Sequence, residues 1–150
     1  MGKSVITKKT FMILNSLKNH WVLLTNHNCD TNTWYLYDSL NGKNYFQSMS
    51  HIFKCFSELS PEVDYFILEN RSIQLQKGSN DCGLFSLANL RSLCQEADPS
   101  LLHYEQKLMR NHFNVCIENK TFNSFKYRVT SRKNITHKSK IFNCKTNKFE

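Results

Sequence analysis

With 150 residues, 40% of them hydrophobic, the chain holds enough apolar material for one domain with one modest core. Its formal charge of +8 is lopsided, because residues 121 to 150 carry eight Lys/Arg and a single acid, which leaves the first 120 residues nearly neutral. No apolar run reaches the ~18 residues a membrane span needs, and Met1 to Thr10 is basic without a hydrophobic stretch. Neither a membrane segment nor a secretory signal is expected, and the protein is expected inside the cell, in nucleus or cytoplasm.

Phe11 to Asn15 and His20 to Thr25 read as strands, and the Asn/Asp-rich turn Asn26 to Asn32 leads into a third, Thr33 to Asp38. The last two should form a hairpin. With its loop centred on Cys29, Leu24 faces Trp34, Val22 faces Leu36 and His20 faces Asp38, close enough for an imidazole to meet a carboxylate. Asn41-Gly42 is a turn signal, and the apolar spacing over Tyr45 to Leu59 predicts a helix ending near Ser60-Pro61. Val63 to Leu68 reads as a strand and Ile73 to Gln76 as an extended piece. A helix follows over Asp81 to Gln95, capped by Ser79 or Asn80, with Leu84, Phe85, Leu87, Ala88 and Leu93 available to pack. A last helix covers Leu101 to Asn119, with Leu102, Leu108, Phe113, Val115 and Cys116 inward. This order predicts an α+β domain over residues 1–120, a small mixed sheet flanked by helices. Residues 121–150, with Arg132-Lys133-Asn134 and His137-Lys138-Ser139-Lys140, read as a basic, disordered tail; weak nucleic-acid contact and a nuclear-import signal are the competing uses.

Six cysteines are spread without any Cys-x-x-Cys pair, so neither a zinc knuckle nor a dense disulfide frame fits. One of them stands apart. In Gln76-Lys77-Gly78-Ser79-Asn80-Asp81-Cys82-Gly83-Leu84-Phe85 a thiol sits where a polar turn becomes a helix, and unpaired amides with aligned peptide dipoles favour a thiolate there. Alone, a cysteine in this place is more often a small core residue than a nucleophile, a lone His20 carries no more weight, and Asp38 also fits as the opening of a turn. Together with His20 and Asp38 on neighbouring strands it supplies a nucleophile, a base and an orienting acid. Gln76, otherwise a solvated polar residue, is placed to donate a hydrogen bond to an oxyanion alongside the Cys82 amide. Gly78 and Gly83 permit close backbone approach, or are ordinary turn and packing glycines.

His20-Trp21, Tyr37-Asp38-Ser39-Leu40 and the run from Gln76 to Phe85 resemble, in order and spacing, the signature of the ubiquitin-like-protein-specific cysteine proteases. That family includes the SUMO and NEDD8 proteases, is related to the adenovirus endopeptidase and has a papain-like fold. The resemblance spans residues 10 to 118. It implies His20 as general base, Asp38 as its orienting acid, Gln76 as oxyanion donor, Cys82 as nucleophile, and Trp21 as a wall of the channel that admits a Gly-Gly terminus. It also implies a ubiquitin-like modifier or its conjugates as partner, and no metal or organic cofactor. The stretch from Cys82 through Pro99 to Met109-Arg110-Asn111-His112 resembles, more loosely, protease domains carried by animal transposable elements. One departure is that nineteen residues precede His20 and none is Trp, whereas family members carry a longer segment that helps grip the modifier. A catalytic domain short at its N-terminus is therefore expected, with a catalytically impaired module that binds a ubiquitin-like protein or nucleic acid as the rival reading.

Overall fold

The computed structural model describes residues 8–16, 19–40, 45–131 and 134–150. In chain order these form β1 (Phe11–Ser16), β2 (His20–Thr25), β3 (Thr33–Tyr37), α1 (Tyr45–Leu59), β4 (Tyr65–Asn70), α2 (Cys82–Cys94), a 3₁₀ turn (Pro99–Leu101), β5 (Leu102–Tyr104), α3 (Gln106–Glu118), β6 (Tyr127–Val129), β7 (Lys138–Asn143) and β8 (Lys148–Phe149). Six strands make one sheet in the order β1-β2-β3-β4-β7-β8, and β5 pairs with β6. Only β3 and β4 run parallel within that sheet, joined by the α1 crossover; its other pairs are antiparallel. The fold is α+β. The predicted turn at Asn41-Gly42 lies outside the described residues, as do Arg132 and Lys133.

The apolar stripe read for α1 is the stripe that packs. Met49, Phe53 and Phe56 are buried against Val22, Leu24, Trp34, Leu36, Phe66, Leu68 and Phe142. Aromatic edges meet faces here, with Phe53 at 5.4 Å from Phe149 and 5.9 Å from Phe66, centroid to centroid. Because side chains alternate along a strand, Val22 and Leu24 face α1 while Leu23 packs the other way, with Tyr37, Ile73 and Leu93 of α2. A further cluster joins Leu84, Phe85 and Ala88 of α2 to Leu102, Tyr104, Met109 and Phe125.

Four expectations need correcting. The β2–β3 hairpin pairs Leu23 with Tyr37, Leu24 with Leu36 and Thr25 with Tyr35, so the loop centres on Asp30 and the register is offset by two residues from the one expected. A slip of two keeps every side chain on its face, and so His20 and Asp38 remain on one side, related diagonally. The final helix starts at Gln106, not Leu101. Asp98 caps a short 3₁₀ turn and the chain then extends as β5 to pair with β6, which leaves Leu108 and Val115 exposed, while Met109 and Cys116 are buried. The strand read over Val63 to Leu68 lies two residues later, at Tyr65–Asn70, and the piece Ile73 to Gln76 that follows it carries no strand pairing. Finally, the described residues of 121–150 are not a disordered tail. β7 pairs with all six residues of β4, and Phe142 is fully buried in the α1 core. Backbone hydrogen bonding and a single aromatic anchor hold a strand whose lysines stay in solvent.

Candidate active site

β2 begins at His20, with Trp21 next. The β1–β2 ladder bonds Asn26 to Thr10, so by alternation the Trp21 amide points away from β1, toward β3. β3 stops at Tyr37, two residues short of the position that would have faced Trp21. Ser39, which a longer ladder would have placed there, gives its carbonyl to the Gln76 amide at 2.9 Å. The Trp21 N–H is thereby freed, and it donates to Cys82 Sγ at 3.5 Å. Early termination of one strand thus brings the first residue of α2 against the residue after His20.

Asp38 follows β3 directly and is buried. Its Oδ1 accepts from the Leu40 amide at 2.8 Å and lies 2.6 Å from His20 Nε2. Burial pushes the Asp38 carboxyl above its ordinary value, against the opposing pull of the Leu40 amide and the His20 ring. With the carboxylate accepting, the imidazole proton sits on Nε2. His20 Nδ1 is then the basic atom of the ring, and it is buried without a hydrogen-bond partner among the described residues.

Cys82 is 5% exposed at the start of α2. Its sulfur lies by a helix end whose first amides no side chain caps: Asp81 holds the N-cap position but makes no capping hydrogen bond, so Ser79 and Asn80 are not the cap either. Uncapped amides at a helix start are suited to receiving an anion. All six cysteines are free thiols, and burial pushes the Cys29 thiol up to about 12, which keeps it protonated.

A groove of about 600 Å³ opens beside Cys82, lined by Trp21, Leu84, Leu87, Arg110 and Phe113 among others. Trp21 is 41% exposed, and its indole lies over Gly83, where an added Cβ would stand 3.7 Å from the ring. Gln76 is buried outside this lining. Its Oε1 accepts from Ser39 Oγ at 2.5 Å and its Nε2 donates to the Gly78 carbonyl at 2.9 Å, while Gly78 takes a positive φ of 75° that glycine tolerates. His20 is thus joined to Asp38 and the adjacent Trp21 to Cys82, and Gln76 is tethered to the same loop through Ser39. Two contributors escaped the sequence reading, Ser39 and Arg110. Ser39 follows the acid directly in sequence, and Arg110 lies in the Met109 to His112 segment, but neither spacing announces its role.

Scans of the chain against family models, curated proteins and solved structures return no match. Among the described residues no group of three or more His, Cys, Asp or Glu is placed to hold a metal ion, and no helix is long and apolar enough to cross a membrane.

Proposed function

We propose that this chain is a cysteine peptidase of papain-like fold, hydrolysing the peptide or isopeptide bond after the C-terminal glycine of a ubiquitin-like modifier of the SUMO or NEDD8 type. The carrying observation is the unspent His20 Nδ1 on a ring fixed by Asp38 at 2.6 Å, one residue from the amide that touches the Cys82 sulfur. Buried polar atoms are nearly always paired, and a lone basic nitrogen kept in place by a carboxylate is what a general base requires. The resemblance of the motif residues supplies the substrate class, which geometry alone does not.

In this reading His20 Nδ1 takes the Cys82 proton and the sulfur attacks the glycine carbonyl carbon. The oxyanion settles against the Cys82 amide at the open start of α2, with the Gln76 carboxamide as a second donor. Collapse breaks the C–N bond, the proton passes from His20 to the leaving amine, and a thioester remains. Water, deprotonated by the same nitrogen, then hydrolyses that thioester and frees the thiol. Asp38 holds the ring and balances its charge. Trp21 walls the channel, and its stacking on Gly83 keeps the passage narrow.

One observation favours the rival reading, an impaired module that binds a ubiquitin-like protein without cleaving it. Gln76 Nε2 is engaged by Gly78 rather than offered at the helix start. The two separate on one experiment. A ubiquitin-like modifier with a C-terminal electrophile should label the wild-type chain covalently, and Cys82→Ala should abolish labelling. Binding of the modifier without labelling favours the impaired module, and undiminished labelling of Cys82→Ala removes the thiol from the role.

A further inference from the structure

Aspartate is among the best N-cap residues because its carboxylate accepts from the second or third amide of the helix. Asp81 stands at that position of α2, with φ −111° and ψ 10°, and caps nothing. Its two oxygens are taken by α3 instead. Oδ1 accepts from Arg110 Nη2 at 2.6 Å and Oδ2 from Gln106 Nε2 at 2.8 Å. The Gln106 carboxamide also clasps the Lys77 peptide, its Oε1 accepting from Lys77 N and its Nε2 donating to Lys77 O, both at 2.8 Å. Arg110 reaches the Asn80 carbonyl as well, at 3.4 Å. One helix thus grips both ends of the turn that delivers Cys82. Upstream, Gln74 clasps the Tyr104 peptide in the same way, at 2.6 and 3.2 Å, so residues 74–77 are zipped to the end of β5 and the start of α3 by two glutamine side chains.

Released from α3, the Asp81 carboxylate has an obvious alternative, the uncapped amides at the start of its own helix. There it would occupy N–H groups that an oxyanion needs and place a negative charge against the sulfur. We infer that Gln106 and Arg110 are positioning residues that hold the Asp81 carboxylate off the N-terminus of α2, keeping the amides beside Cys82 open and the local field favourable to a thiolate. This rests on Cys82 as the reacting thiol. Among the described residues, the ionisable groups near that end of α2 are Lys77 and Asp81 from its own turn, His20 from β2, Asp38 from the loop after β3 and Arg110 from α3, with His103, Glu105, Lys107 and Arg128 lining the pocket on the Asp81 side; β1 contributes none.

The test is iodoacetamide alkylation of the full chain across pH, with the Cys82 peptide followed by mass spectrometry. Arg110→Ala should move the half-maximal pH upward, so that alkylation at pH 7 is about three- to tenfold slower, since a thiolate follows nearby charge. Adding Asp81→Asn should restore the rate to within about twofold of wild type, because the freed charge is the cause. Asp81→Asn alone, which leaves the Arg110 cation unbalanced, should move the midpoint downward and decides the matter if Arg110→Ala does not fold. A purely structural clamp would lower the thermal midpoint in each variant without moving the alkylation midpoint, and that result overturns the inference. So does an Arg110→Ala shift that Asp81→Asn fails to reverse. Alkylation requires no peptidase activity, so a chain that no modifier probe labels can still show the positioning effect.

Discussion

The side chains that α1 buries, Met49, Phe53 and Phe56, are all apolar, whereas α2, on the opposite face of the sheet, buries Ser86, Asn89 and Ser92 along with Cys82. An aromatic core of the first kind gains from area and shape and asks nothing of hydrogen bonding. A polar helix face has to satisfy what it buries, and this one does so for its serines, whereas both polar atoms of the Asn89 side chain are buried without a hydrogen-bond partner among the described residues. Ser86 Oγ donates to the Cys82 carbonyl at 3.0 Å, Ser92 pairs with Tyr104 Oη at 2.8 Å, and Gln74 and Gln76 tie adjoining backbone and side chains. The α1 side therefore supplies stability, and the α2 side spends part of its burial on fixing directions at the Cys82 end. Substitutions on the two sides should accordingly separate folding from chemistry.

The largest separation is expected at His20. His20→Ala should slow the proposed hydrolysis, read as modifier release or probe labelling, by about 10²–10⁴-fold, the usual worth of a general base. Its thermal midpoint should move less than that of the next variant. Phe53→Ala empties the centre of the α1 core and should cost about 3–5 kcal/mol in a denaturant titration. The fraction that remains folded should label at the wild-type rate. Equal loss of labelling per folded molecule in both variants would erase the distinction between the two sides.

Ser39→Ala is intermediate, because Ser39 belongs to both. It leaves the buried Gln76 Oε1 without its partner, which should cost about 1–3 kcal/mol in stability. The loosened carboxamide should slow acylation as well. Ser39→Thr, keeping the hydroxyl, should recover most of both losses, and recovery of stability alone would show that Gln76 serves the fold rather than the oxyanion.

How much of this was legible in the sequence follows the same division. α1 and β2 appear between the residues read for them, because one apolar face repeated at helical or alternating spacing is a strong local signal. The His20–Asp38 approach survived a misjudged register, because an even slip preserves the face. β7 was missed since it buries one large side chain and is otherwise held by backbone pairing, which composition cannot express. β5 was absorbed into a helix although buried Leu102 and Tyr104 alternate with half-buried His103, a short strand signal that Pro99 overshadowed. The glutamine clasps left no trace in the sequence. They join residues about thirty positions apart through side-chain amides, and nothing in the local spelling of Gln74 or Gln106 marks them.

The smallest expected effect is electrostatic and isolates Asp38. Its folded carboxyl titrates above its ordinary value, chiefly through burial. Between the ordinary carboxylate pKa of about 3.9 and that raised value, the folded chain holds a proton that the unfolded chain has lost. Protons bound in excess by the native state mean that stability falls as pH rises through this window. The contribution is fully present below the ordinary value and gone above the raised one. Asp38→Asn removes the ionisation, so the wild type should lose thermal midpoint relative to this variant as pH rises across the window, and the difference should then level off. Since the His20 ring and the Leu40 amide both pull Asp38 downward, removing the ring in His20→Gln should push the carboxyl higher and extend the window upward. A carbon-13 titration of the Asp38 side chain reads that movement directly. A downward movement would mean that His20 does not stabilise the carboxylate, and the ring would lose its claim to a fixed orientation.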